Sequence, residues 1–143
     1  TKVLYMQAGD TVRSKRAAMR CLYPKAADKA EDVNDLCLVL QFEEGDISAL
    51  FGGDISTDVE EQLIRRRKWD KVLIFKADHH GSRYANAEAL LKCIRPERTI
   101  VTDIRARMPY KGSKRAAADF FAPLKVDGYG CASSKISWCA KLM

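Results

Sequence analysis

The residues of this 143-residue chain whose types and spacing could do chemistry form two short segments. Its two histidines are adjacent, in Asp78-His79-His80-Gly81-Ser82, just after the apolar stretch Lys71–Lys76. Asp54 follows Gly52-Gly53, just after a second apolar stretch, Ile47–Phe51. In α/β proteins, groups at the carboxyl ends of strands converge on one edge, where ligands bind. Imidazole and carboxylate are first-row metal ligands, and a carboxylate can bridge two ions. Gly81 lets the chain turn close to a ligand. Ser82 offers a hydroxyl and a backbone donor to a phosphate or a developing oxyanion. Asp54, His80 and Ser82 are therefore the candidate catalytic residues, and Asp54, His79 and His80 the candidate metal ligands. The same residues also read as an ordinary turn and a hydrogen-bonded loop.

Basic clusters are the second signal. Lysine and arginine outnumber acids 25 to 19, for a net charge of +6. That balance suits a polyanionic partner. One cluster is Arg65-Arg66-Arg67-Lys68. The other runs from Arg105 to Arg115 and holds Arg105, Arg107, Lys111, Lys114 and Arg115. With Arg83, these are candidate phosphate contacts to nucleic acid, above all Arg65, Arg67, Lys68, Arg83, Arg105, Arg107 and Lys111. Tyr84 and Tyr110 lie beside them, where a base could stack. A solvated, solubilising rim is the other reading of the same charges.

The elements that must position these residues follow from local pattern. Lys2–Gln7 reads as a strand, Ala8-Gly9-Asp10 as a turn, and Thr11–Tyr23 as one or two short strands. Pro24 to Asn34 reads as a solvated connection. Leu36–Phe42 and Ile47–Phe51 form a hairpin across Glu43-Glu44-Gly45-Asp46. Thr57 opens a helix over 57–68, with Thr57-x-x-Glu60 as a capping box and Val59 and Leu63 facing inward. Its last turn carries cations suited to the helix dipole. Lys71–Lys76 is the next strand. Asn86 caps a second helix, with Leu90, Leu91 and Ile94 inward and Pro96 stopping it. Thr99–Thr102 is a strand, Ser113–Phe121 a third helix, and Lys135–Leu142 a last strand. Strands followed by strand–helix alternation predict one α/β domain: a mixed sheet with its helices on one face. The other face then needs a cover, which makes self-association through it an expectation.

Composition excludes other classes. A chain that is 47% hydrophobic and 31% charged is neither disordered nor fibrous. No apolar run approaches the roughly 18 residues of a transmembrane span. The five cysteines are odd in number and form no C-x-x-C pair, so neither a zinc knuckle nor a disulfide framework is expected. Free thiols suit a reducing compartment. The absence of a starting methionine suggests an excised piece of a longer protein.

Three segments carry a family resemblance: Asn34-Asp35-x-Cys37-Leu38-Val39-Leu40, Phe51-Gly52-Gly53-Asp54-Ile55, and Ala77-Asp78-His79-His80-Gly81-Ser82-Arg83-Tyr84-x-Asn86. Their order and spacing resemble the C-terminal half of the metallo-β-lactamase-fold domain of ComEC-type DNA-uptake hydrolases. Those proteins carry an "N-D/N-x-S-L-V-L" strand, a "T-G-D" turn and a "K-x-x-H-H-G-S" loop. Gly9-Asp10-Thr11 is similar to their "G-D-T" turn, and Leu22-Tyr23-Pro24 to their "L-H-P" strand. The resemblance implies half of an αβ/βα sandwich whose N-terminal half is the missing partner, in a parent that can be membrane-attached. It implies a Zn²⁺- or Mn²⁺-dependent phosphodiester hydrolase of competence, with Asp54 as bridging ligand, His79 or His80 at the site, and Asn34 near a further ligand position. The family's H-x-H-x-D-H motif is absent here, and its "Y-G-H-P" is Tyr110-Lys111-Gly112-Ser113. The isolated chain is therefore expected to hold no metal and to be inactive. A degenerate module that binds nucleic acid or protein, and a hydrolase of a small ester, are the alternatives.

Overall fold

The computed structural model describes residues 3–102 together with the backbone of 126–127 and 137–142. These residues form one mixed sheet. Its strands are β1 (Thr11–Arg13), β2 (Ala17–Tyr23), β3 (Val39–Glu44), β4 (Ile47–Phe51), β5 (Ile74–Lys76), β6 (Arg98–Thr102), β7 (Val126–Asp127) and β8 (Ser137–Leu142). The spatial order is β1-β2-β3-β4-β5-β6-β8-β7. The centre, β4-β5-β6, is parallel, and every other pairing is antiparallel. Helix α1 (Thr57–Arg66) connects β4 to β5, and α2 (Glu88–Ile94) connects β5 to β6. The α/β class expected from the element order is the one observed.

Both helices serve one core. Val59 and Leu63 of α1 and Leu90, Leu91 and Ile94 of α2 pack with Val39, Leu50, Phe75 and Val101 of the sheet. Side chains alternate along a strand, so residues paired in register share a face. The row Gln41–Leu50–Phe75–Thr99 therefore faces the helices. The neighbouring rows, Cys21–Leu40–Phe51–Lys76–Ile100 and Met19–Phe42–Ala49–Ile74, face the other way. That second face is mostly apolar, with Lys76 and Arg98 also in its rows and Phe51 38% exposed.

Several boundaries differ from the sequence pattern. No strand forms over residues 3–7, where Val3, Leu4 and Tyr5 are exposed. The Asp10 carboxylate instead takes the Gln7 N–H and closes a turn at 2.9 Å. β3 starts at Val39, because Val33–Leu36 winds into a 3₁₀ turn capped by Asp32, whose side chain accepts the Asn34 N–H. β5 starts at Ile74, because Val72 donates to the Ile94 carbonyl and Leu73 to the Ser48 carbonyl. The helix expected over 113–121 lies outside the described residues, as do Arg105, Arg107, Tyr110 and Lys111.

Candidate functional site at the carboxyl edge of the parallel strands

β4, β5 and β6 run parallel, so their carboxyl ends open on one edge. Gly52-Gly53-Asp54 leaves β4 there, the histidine loop leaves β5, and Thr102 ends β6. Of the two candidate histidines, it is His80 that meets Asp54: Nε2 of His80 lies 3.5 Å from Oδ1 of Asp54. The other ring nitrogen, Nδ1, lies 3.0 Å from the Thr102 hydroxyl. The three side chains form a chain of carboxylate, imidazole and hydroxyl. A hydroxyl both donates and accepts, so Thr102 can serve either tautomer of the ring. With Thr102 donating to Nδ1, Nε2–H points at Asp54. With Nδ1–H donating to Thr102, Nε2 is left as a ligand beside a carboxylate. Lys76 adds a cation to the same edge, its Nζ 3.4 Å from the Gly53 carbonyl.

The other sequence candidates are placed differently. His79 fastens the loop through its backbone, donating to the Gly53 carbonyl at 2.9 Å. Ser82 closes the loop: its N–H donates to the His79 carbonyl, and its hydroxyl accepts the Tyr84 N–H at 3.3 Å. Asn34 sits in the 3₁₀ turn. Its neighbour Asp35 reaches across to the N-terminus of α1, accepting from the Ser56 N–H at 2.7 Å and the Ser56 hydroxyl at 3.0 Å. Cys37 follows that turn and packs on Gly53, where an added Cβ would lie 2.7 Å from the Cys37 Cβ. Gly53 also has φ +71°. The glycine is thus required both by close approach and by a left-handed backbone.

The histidine loop is held in an unusual shape. His79 (φ 45°), His80 (φ 56°) and Gly81 (φ 82°) are left-handed in succession. Each non-glycine residue there costs about 1–2 kcal/mol, so the surroundings must over-determine the conformation. Two residues read from sequence as helix caps supply that constraint. Asn86 is not the cap of α2; Ala87 holds that position. The buried Asn86 side chain accepts the Asp78 N–H at 2.8 Å and donates to the Asp78 carbonyl at 3.0 Å, tying the two ends of the loop together. Glu60 does not complete a capping box with Thr57. Ser56 is the N-cap of α1, and Glu60 is wholly buried. Its two oxygens accept the N–H groups of Asn86 and Ala87, each at 2.5 Å.

Asp78 completes this polar core. Its carboxyl lies against the Gly52 backbone and shares a hydrogen bond with Glu60. Burial pushes the Asp78 carboxyl well above the ordinary carboxylate range, and the Glu60 charge beside it adds to the rise. Burial also raises Glu60, while the two backbone donors oppose that rise. Both backbone partners of Glu60 can only donate, so Glu60 is the ionised member. Asp78 keeps its proton and donates it. Sequence reasoning missed both residues, although an acid directly before His-His was the available signal.

The basic residues divide by location. Arg65, Arg67 and Lys68 lie at the C-terminal end of α1, about 14 Å along the helix from the end that meets the loop. There Arg65 pairs with Glu61, Arg66 makes a two-pronged bond to Asp28 at 2.8 and 2.9 Å, and Arg67 lies over the Trp69 ring. Arg83 is the candidate at the site's own end. Its guanidinium lies over the ring of Tyr84, which is exposed.

No protein-family model matches the chain. Over 97 residues it is 28% identical to ComE operon protein 3 of Bacillus subtilis (strain 168). The matched stretch covers 68% of this chain and 12% of that protein, so the chain spans a small part of its relative.

A metal site can be tested against this geometry. Asp54 and His80 lie 3.5 Å apart, and each is a possible donor to a cation. Among the described residues no group of three or more His, Cys, Asp or Glu side chains meets in this way. The residues present fit two positions of a four-coordinate site. Among the same residues, no helix is long and apolar enough to cross a membrane.

Proposed function

We propose that this chain is the part of a metal-dependent hydrolase that presents Asp54 and His80 to a nucleic-acid phosphodiester during DNA uptake. The observation that carries this reading is the 3.5 Å approach of Asp54 to His80 at the carboxyl edge of three parallel strands. The similarity to a ComE operon protein supports the competence role. Asp54 and His80 would hold Zn²⁺ or Mn²⁺ together with ligands from outside the described residues. Bound there, such an ion would supply Lewis-acid stabilisation and a water of lowered pKa. Asp54 contributes negative charge and a second oxygen for a second ligand or proton. Thr102 orients the His80 ring, so that Nε2 faces the reacting edge. Lys76 and Arg83 would receive phosphate oxygens. The nearby loop residues His79 and Ser82 shape the approach through their backbone.

The test is cleavage of a DNA oligonucleotide with and without Mn²⁺ or Zn²⁺, by this chain and by a longer protein extended upstream. The expected result is metal-dependent cleavage by the longer protein alone. A longer protein that carries the H-x-H-x-D-H motif yet leaves the oligonucleotide intact would contradict it. That outcome would favour a second reading, a binding module without catalysis. The Arg83–Tyr84 stack is the feature that favours it, being an exposed platform for a base.

A further inference from the structure

Glu60 lies on a helix, in no motif of the site, yet it is wholly buried and its carboxylate ends on the histidine loop. The loop begins at Asp78 and ends at Asn86, each 1% exposed. Between them stand three successive left-handed residues, two of them histidines. The Asn86 side chain closes this segment into a ring by bonding both the N–H and the carbonyl of Asp78. The Glu60 carboxylate fixes the ring to α1 through the N–H groups of Asn86 and Ala87. A second fastener is independent of Glu60: the Thr57 N–H donates to the Tyr84 carbonyl at 3.1 Å. It holds the outer part of the loop and leaves the orientation of its closure to Glu60.

We propose that Glu60 is a positioning residue for His80: through Asn86 it holds the histidine loop in the left-handed conformation that sets the imidazole between Asp54 and Thr102. The proposal rests on the functional reading above for its purpose, though not for its test. A carboxylate is suited to the role because two outward N–H groups need two acceptor oxygens at fixed separation. Gln supplies one oxygen and turns an NH₂ group toward the other donor. If Glu60 merely capped α2, its replacement would lower stability and leave the His80 ring where it is.

The experiment is NMR of the 143-residue chain without metal or substrate, comparing wild type, Glu60→Gln and Asn86→Gly. Glycine accepts the φ of +69° at position 86, so this variant deletes the side-chain bonds without straining the backbone. Three readouts matter: the ring ¹⁵N and Hε1 signals of His80, through-space contact between His80 and Thr102, and amide exchange at Ala87. Folded Glu60→Gln is expected to shift the ring signals, lose the Thr102 contact and exchange the Ala87 amide about tenfold faster or more. Asn86→Gly should shift the same ring signals, because it opens the same ring of bonds. A folded Glu60→Gln with wild-type His80 signals would overturn the proposal. If Glu60→Gln fails to fold, Asn86→Gly, which keeps both Glu60 bonds and cuts the link from them to the ring, decides: wild-type His80 signals overturn the proposal, and shifted signals with the Ala87 amide still protected support it. Neither result depends on cleavage or metal binding, so failure of the hydrolase reading would be seen separately.

Discussion

The two ends of helix α1 carry similar numbers of charged residues and treat them in opposite ways. At its N-terminal end Glu60 is fully buried, and its carboxylate accepts from Asn86, which closes the loop that presents His80, and from Ala87 just beyond it. At its C-terminal end Arg65 and its partner Glu61 are solvated, with side chains 66% and 56% exposed. A buried charge must be satisfied by several fixed donors, whereas a surface pair loses little on separation. At the N-terminal end, beside the proposed site, polar side chains are held at cost, whereas the Arg65–Glu61 pair at the other end is solvated.

The largest effect expected from breaking this contrast is at Glu60. Glu60→Ala leaves the Asn86 and Ala87 N–H groups and the Asp78 carboxyl without their acceptor, and should cost about 3 kcal/mol or more of folding stability by urea denaturation. Gly52→Ala comes next. Its Cβ would stand 2.5 Å from the carboxyl carbon of the buried Asp78. A loss of about 2 kcal/mol is expected, since overpacking of this kind forces backbone shifts.

Asp78 sharpens the comparison through pH. Its folded pKa is raised above the unfolded value, so the folded state binds the extra proton between the two. Stability is then highest below the unfolded carboxylate pKa and falls as pH rises toward the folded pKa. Asp78→Asn keeps a donor for Glu60 and has no proton to lose. Its denaturation midpoint should therefore vary less between pH 4 and pH 8 than that of the wild type, in buffers differing by roughly one pH unit. A wild-type chain that gains stability across that range through Asp78 would contradict the assignment of its proton.

The smallest effects belong to the arginines. Arg66→Ala removes a two-pronged bond to the half-buried Asp28, and about 1 kcal/mol is expected. Arg65→Ala removes only an exposed i,i+4 pair and should change stability by less than about 0.5 kcal/mol.

Much of this architecture was legible in the sequence because it rests on local pattern. The β3–β4 hairpin follows from alternation around Gly45, and both helices from apolar residues one turn apart. The approach of Asp54 to one of the two histidines followed from their positions after two strands, though which histidine did not. What stayed hidden depends on partners distant in sequence. Thr57-x-x-Glu60 has the spacing of a capping box, but the Asn86 and Ala87 donors 26 and 27 residues away claim the carboxylate. Asn86 stands where a cap belongs, yet its side chain turns back to Asp78. Thr102 gave no signal, because a strand-end threonine becomes part of the site only when β6 lies beside β5. Lys76 stood only as the end of an expected strand, because it reaches the Gly53 carbonyl only once β4 and β5 pair.

The central claim is that Asp54 and His80 share one functional point, held by the polar ring beneath them. The most direct measurement is metal content by elemental analysis in the upstream-extended protein, comparing wild type with Asp54→Ala, His80→Ala and His79→Ala. The expected result is that Asp54→Ala and His80→Ala each lose metal, and that His79→Ala, whose contribution here is through the backbone, retains more of it. Metal retained at the wild-type level in both Asp54→Ala and His80→Ala would contradict the claim.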